Sequence, residues 1–398
     1  VLDDAKSYFA AANRRYDFIL SEPSNPWVSG VSGLFTDEFY ARIRGYLTPR
    51  GVFGQWLHLY EIDDGLVLSV IKAVHRNFPS YRIYLTMDVD ILIVASNQPE
   101  LPEPDWSVFQ LPAVAKDLSR FKPITPEALE GTLLADRALL APIIGDASGA
   151  NSDFFPALDL ATERTRYLKT VATGFYTTTS DRYDLSAALT QRRIGWGTET
   201  VPALSMPRTQ ARALGARIRS REALSPIDTA QGDAPYRGAL MRRQELENGL
   251  ARDVPPSDWF LWFHALTDVE RDVHAGTMGV VDSALYRRAE LFMAKHGAPE
   301  AAQTSWRFLR AAASYDWRTA SDEAAGVIAG RRTGRAWLAS DLVRDAAVTA
   351  RIHLGEISQA RAAFGELTPY VTRKPYDLRT RLLEAWLEHA EMKQRRGS

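Results

Sequence analysis

The first hundred residues alternate short apolar runs with amphipathic stretches. Tyr16-Asp17-Phe18-Ile19-Leu20 predicts a short strand that stops at a cluster of Pro, Ser and Asn. Thr36 then reads as the N-cap of a helix, with Asp37 and Glu38 in the first turn, where carboxylates suit the positive end of the dipole. Phe39, Ile43 and Leu47 fall on one face of it, and Pro49 to Gly51 ends it. Gly51 to Leu57 predicts a second strand. Asp63 and Asp64 open another helix, whose apolar positions Leu66, Val67, Val70, Ile71 and Val74 make a core-facing stripe. Tyr81 to Leu85 and Asp90 to Ala95 read as two strands with Asp88 in the turn between them. This order predicts a parallel sheet covered on both faces, with the last close pair as an antiparallel hairpin at one edge.

From Gln98 to Pro126 the periodicity is lost, and Pro99, Pro102, Pro104, Pro112, Pro123 and Pro126 punctuate the chain. The stretch reads as a long connection wrapping the sheet, or a linker; short helical material follows. Beyond about residue 180 strand signals nearly vanish, and Ala, Arg and Leu recur at helical spacing. Ala289 to Leu309, with Gly297 and Ala302, resembles Ala347 to Leu367, with Gly355 and Ala360. Each stretch places a Gly between two helical patterns, in the style of tetratricopeptide-like helical hairpins. A plain helical bundle fits the same pattern. The organisation expected is an α/β domain over residues 1–172 and an all-α domain over residues 173–398.

Composition narrows the function classes. Lys+Arg is 48 and Asp+Glu 49 over 398 residues, a formal net charge of -1. No overall field draws such a chain onto nucleic acid. Cysteine is absent, which excludes disulfides, thiolate metal sites and a cysteine nucleophile. The seven His residues show no metal-ligand spacing, so no metal is expected. No apolar run approaches the roughly 20 residues that cross a bilayer, and no signal peptide is visible. The chain opens at Val1 directly in structured-looking sequence, and reads as a piece of something longer.

The densest polar loop is Ser21-Glu22-Pro23-Ser24-Asn25-Pro26-Trp27-Val28-Ser29-Gly30, just past the carboxyl end of the first strand. Ligands of open α/β sheets bind outside the carboxyl ends of strands, which draws attention to Glu22. A Pro-rich turn with a solvated carboxylate is the alternative. Asp4, at the end of a strand begun by Val1 and Leu2, could accept a hydrogen bond from an adenine amino group or simply cap the helix that Ala5 opens. Gly30-Val31-Ser32-Gly33 is not a nucleophile elbow, because its second Gly comes one residue early. Gly195-Trp196-Gly197 lacks the third Gly of a dinucleotide loop. His58, on an apolar strand end, reads as a structural residue.

Taken together, Asp4-Ala5, Tyr16 to Pro23, Leu34-Phe35-Thr36, Phe39-Tyr40 and Leu47-Thr48-Pro49-Arg50-Gly51 resemble the polyamine aminopropyltransferases, or spermidine synthases. The likeness is strongest to the bacterial spermidine synthase-like proteins fused to membrane helices. Ser21 to Trp27, Leu34 to Phe39 and Gln55 to Tyr60 match their "SEPSNPW", "LFT.EF" and "QWL..Y" runs, and Asn151 to Arg164 resembles a diverged "TDD.P.LE" stretch. The resemblance covers about residues 1 to 170.

The resemblance implies the C-terminal part of a methyltransferase-like Rossmann sheet. It also implies aminopropyl transfer from decarboxylated S-adenosylmethionine to a diamine such as putrescine. Glu22 then stands where the family has its catalytic Asp, Asp4 and Ala5 lie at the adenine, and Gln55 aligns with a Gln that faces the amine. An amine with a pKa of about 10.4 must lose a proton before it attacks, which is why a carboxylate is wanted there. The family's Gly-rich loop and ribose-binding acid would lie before Val1, so this polypeptide alone is expected not to catalyse transfer. Asp153 is followed by Phe154 where the relatives have a second carboxylate. The family also implies a homodimer, and a parent protein anchored in the inner membrane with this part in the cytoplasm. Two other readings stay open: a different S-adenosylmethionine-dependent transferase, such as a methyltransferase, and a non-catalytic adaptor whose helical pairs hold a protein partner.

Overall fold

The β-branched and aromatic runs of the first hundred residues pair into one sheet, and the helices between them supply its cover. The computed structural model describes residues 5–12, 14–26, 28, 30–87, 89–118, 126–145, 149–179, 183–195, 215, 218, 234–332, 334–371 and 377–397. Contacts divide the chain into two units, Val1–Ala115 with Thr132–Thr177 and Lys116–Gly131 with Thr178–Ser398. The chain is mixed α/β.

The sheet of the first unit holds β1 (Tyr16–Ser21), β2 (Leu47–His58), β3 (Ser80–Met87), β4 (Asp90–Ser96) and β5 (Leu133–Asp136). Their order is β1-β2-β4-β3-β5. Only β1 and β2 pair in parallel; β4 runs antiparallel to both β2 and β3, and β5 antiparallel to β3. The sheet is therefore mixed, which corrects the expected parallel one. Three strands still share one direction, as the strand-helix-strand order requires. The β3–β4 hairpin forms as expected, but it folds inward between β2 and β3, not onto an edge. The far edge belongs to β5, which four residues without alternation did not signal. Asp88 in the hairpin turn lies outside the described residues.

Among the described residues the two faces of the sheet are covered unequally. Helix α1 is Ala5–Ala12, α2 is Asp37–Tyr46, α3 is Asp64–Asn77, α4 is Pro112–Leu118, α6 is Arg137–Ile144 and α7 is Ala157–Tyr167, while α5, Pro126–Glu130, belongs to the second unit. Thr36 caps α2 by accepting from Phe39 N at 3.2 Å, and Asp63 caps α3 by accepting from Leu66 N at 2.9 Å. Phe53, Gln55 and Leu57 of β2, Ile91, Ile93 and Ala95 of β4 and Tyr81, Ile83 and Leu85 of β3 are buried on the face that α2, α3 and α6 cover. Phe53 stacks on Phe78 at the end of α3, with ring centroids 5.7 Å apart. The opposite face is only partly covered, and at the β1 edge Phe18 is 60% and Leu20 52% exposed. Leu20 reaches across β2 there because residue 54 is Gly: a Cβ at Gly54 would come within 2.9 Å of Leu20 Cδ1.

The second unit is helical among its described residues. It holds α8 (Leu185–Leu189), α9 (Ala234–Arg252), α10 (Trp259–His274), α11 (Ser283–Lys295), α12 (Glu300–Ser314), α13 (Trp317–Arg332), α14 (Ser340–Leu354), α15 (Ile357–Leu367) and α16 (Leu378–Gly397). Gly297 and Gly355 both adopt positive φ, 68° and 74°, at the joints α11–α12 and α14–α15, where a left-handed residue ends the first helix of each pair. A buried ion cluster ties this unit together. Asp345 accepts from Arg344 Nε at 2.7 Å and from Arg379 Nε at 2.5 Å, and Arg379 Nη2 also donates to the Tyr183 carbonyl at 2.9 Å. Arg344 and Asp345 are fully buried, and Arg344 Nη1 donates to Thr380 Oγ1 at 2.9 Å. Two cations thus share one anion away from water. Asp345→Asn, which leaves both guanidiniums without a counter-charge, should destabilise the chain by about 3–5 kcal/mol, read as a lower urea midpoint.

Candidate functional site

β1, β2 and β3 end on one rim of the sheet, so the loops that leave them share a neighbourhood. Ser21, the last residue of β1, is paired with Gln55, and Glu22 follows it. Glu22 is exposed, and no hydrogen bond or ion pair engages its carboxylate among the described residues. The loop is tied to the end of β2 through Tyr60, whose hydroxyl donates to Asn25 Oδ1 at 3.3 Å. Trp27 and Ser29 lie outside the described residues, as does Asp4. Ala5 is the first residue of α1.

Gln55 sits on the other face. It alternates with Phe53 and Leu57, and like them it is fully buried. Its Nε2 donates to the Trp56 carbonyl at 2.9 Å and to the Ser21 carbonyl at 3.3 Å, while Oε1 accepts from Tyr40 Oη at 3.4 Å. Burial holds the Tyr40 hydroxyl well above the usual tyrosine range, so it stays a donor. With both ends of the amide engaged inside the protein, Gln55 is a strut beneath the Ser21–Glu22 step. Its amide meets the chain at the Ser21 carbonyl, one residue before Glu22.

Two residues that sequence reading passed over, or read only as structure, do reach the rim. His58 is fully buried, its ring 5.8 Å from Trp56 and 4.6 Å from Tyr60. Burial pushes its imidazole down to about 4, so it is neutral at physiological pH. Asp90, the cross-strand partner of His58, opens β4 at the same level. Its Oδ1 is buried with no hydrogen-bond partner among the described residues, and burial holds this carboxyl above the usual carboxylate range. Sequence reading had placed Asp90 only as the start of a strand; an acid at the mouth of a turn is the signal that was there to use.

Beneath the loop, Asn151 fixes the elements that position it. Fully buried, it donates from its backbone N to Ser69 O at 3.1 Å and accepts from Asp37 N at 2.9 Å. Its Nδ2 donates to Phe35 O at 3.0 Å and Ser32 O at 3.4 Å, and its Oδ1 accepts from Leu158 N at 3.2 Å. Val31–Leu34 is a 3₁₀ helix, not an elbow, and Ser32 Oγ donates to Asp159 Oδ1 at 3.4 Å. Asp153 lies near this assembly, its backbone N donating to Glu38 Oε2 at 2.8 Å.

No family model matches this chain, and no curated protein matches it. Among the described residues no group of His, Asp and Glu is arranged to hold a metal ion, and no helix is long and apolar enough to cross a membrane. At the rim Glu22 is open to solvent and Asp90 partly withdrawn from it, with the neutral His58 imidazole beside Trp56 and Tyr60.

The His58 shift has a sign that can be tested. Its folded pKa of about 4 lies below the ordinary 6.5, so the unfolded chain binds the extra proton between those values. Stability from this group is present above about pH 6.5 and is lost as pH falls toward 4. Between pH 7 and pH 5 the loss should be on the order of 2 kcal/mol. Urea unfolding at both pH values should show it, and His58→Gln should flatten that slope.

Proposed function

We propose that the first unit is a spermidine synthase-like aminopropyltransferase domain that takes a diamine, with Glu22 as the carboxylate that binds and deprotonates the attacking amine. The observation that carries this reading is the Glu22 carboxylate, exposed and unengaged at the carboxyl end of β1, on the rim where sheets of this kind hold ligands. A methyltransferase-like Rossmann identity for the sheet, and tetratricopeptide-like pairing for the helices, belong to the same proposal. Asp90 adds a second acid at the rim, which suits a substrate with a cationic amine at each end.

The chemistry asked of the chain is modest. A primary amine near its solution pKa of about 10.4 is protonated at neutral pH and has no lone pair to offer. Glu22 attracts that ammonium and accepts its proton, a contribution of about 10²–10⁴ in rate. The amine nitrogen then displaces the sulfonium in line, with the electron pair leaving on sulfur; decarboxylated S-adenosylmethionine supplies the aminopropyl carbon. What remains for the protein is alignment. On the amine side the reading rests on Glu22 and Asp90. Asp4, the residue proposed for the adenine, lies outside the described residues.

Exposed apolar side chains of the first unit, not of the helical pairs, favour a second reading, that of an adaptor. Phe154 is 81%, Phe155 78%, Leu160 78% and Tyr167 87% exposed, on one helix and the turn before it. Such a surface suits contact with another macromolecule.

Calorimetry of the chain with putrescine separates the two. Putrescine should bind, 1,4-butanediol should not, and Glu22→Gln should weaken putrescine about tenfold, as loss of one charge-assisted contact requires. Equal binding by the Glu22→Gln variant removes Glu22 from the site and leaves the adaptor reading ahead. Product mass distinguishes an aminopropyl from a methyl group wherever turnover is seen.

A further inference from the structure

The helical unit contains a cavity of about 370 Å³ between α10, the end of α13 and the segment that leads into α14. That volume lies at the small-molecule end of the range for ligand sites, about 300–1,000 Å³. One side is apolar and flat. Trp337 forms it with Leu309 and Leu342, and the indole is held edge-on by Phe260 at 5.4 Å and Phe263 at 5.3 Å between centroids.

The other side is cationic. Arg331 lines the cavity, half-buried, with Nη1 donating to the Leu338 carbonyl at 3.2 Å and Nη2 to Ser340 Oγ at 2.5 Å. Both acceptors are neutral, and no carboxylate pairs with Arg331 among the described residues. Its neighbour Arg332, pointing elsewhere, is held by both oxygens of Glu366 at 2.8 and 2.6 Å. Arg271 adds a second guanidinium. It meets Asp268 at 3.2 Å and Asp272 at 3.4 Å, but Asp272 already accepts from Arg242 at 2.8 and 2.5 Å.

The lining holds two guanidiniums and one carboxylate, a formal charge of +1. Glu270 is the carboxylate of the lining, and its Oε1 is committed to the buried Tyr286 hydroxyl at 2.6 Å and to His274 Nδ1 at 3.1 Å. His274 Nε2 accepts from Asp282 N at 2.7 Å, so the proton sits on Nδ1 and is donated to Glu270. Helix α14 also begins at the cavity without a side-chain cap, because its N-cap is Ala339. Its first helical bond runs from Val343 N to Ala339 O, which leaves the N–H groups of residues 340 to 342 without helical partners. Asp341 shares that turn and is exposed.

From this arrangement we propose that the cavity binds a small carboxylate with an aromatic or similarly flat apolar body, its charge held by Arg331 and Arg271 and its body laid on Trp337. A guanidinium fork suits carboxylate and phosphate alike. The apolar wall selects against inorganic phosphate, which has nothing to lay on it. This site is in the helical unit and does not rest on the reading given for the sheet.

Calorimetry on the full chain with phenylacetate, phenylacetamide and inorganic phosphate tests the proposal. Phenylacetate should bind one to one, with the neutral amide and the phosphate each at least about tenfold weaker. Arg331→Gln and Arg271→Gln should each weaken phenylacetate about tenfold, as should Trp337→Leu, with the circular dichroism unchanged. Arg271→Gln keeps the test meaningful if losing Arg331 loosens the segment it ties down. The proposal is overturned if the amide or phosphate matches phenylacetate, if both Arg variants keep full affinity, or if phenylacetate gives no heat at about 10 mM.

Discussion

A buried primary amide has two N–H donors and a carbonyl that must find partners, and Asn151 meets that demand by joining four segments of the first unit. Its amide reaches the 3₁₀ helix and the residue before the Thr36 cap; its backbone reaches α2 and α3; its carbonyl oxygen takes the first turn of α7. Replace it by Asp, and two carbonyl oxygens face a carboxylate. Replace it by Leu, and three polar groups are left in the dark. The loop that carries Glu22 is held at one end by β1 and framed by elements that converge on this residue. Its geometry depends on a neutral group.

The helical unit solves the same problem with charge. Asp345 is shared by two arginines, Glu270 takes a hydroxyl and an imidazole N–H, and Arg307 is shared between Glu323 at 2.6 Å and Glu300 at 3.0 Å. The Asp345 and Glu270 groups are buried and had to leave water, whereas Glu300 stays exposed. Arg331 departs from the pattern, a cation stabilised by neutral acceptors and by the Tyr370 ring 5.7 Å away. A positive charge left in that state is a standing preference for an anion.

Local rules were the legible part. Thr36 and Asp63 announce their helices because a cap is a contact three residues long, and Gly297 and Gly355 announce their joints because only a left-handed residue ends a helix that way. Register is not local. Nothing within Asp90–Ser96 says that it will slide between β2 and β3, and four residues of β5 carry no period. Gln55 shows a different limit. A resemblance aligns residues along the chain, but alternation assigns the face, and Phe53-Gly54-Gln55-Trp56-Leu57 already places Gln55 with the buried pair. Asp90 was hidden by its ordinary position at the start of a strand; only the register shows that it pairs with His58.

The inward fold of the hairpin also bears on how the molecule is made. β2 emerges from synthesis long before the strand that will lie against its inner edge, and β3 emerges with no neighbour but its own hairpin partner. The sheet therefore cannot grow strand by strand from the amino end. It must wait for residue 96, and until then two apolar strands stand with open edges. Late closure of a non-local pairing is slow and exposes the chain to wrong partners, so the vulnerable moment in the life of this domain is the interval before β4 arrives.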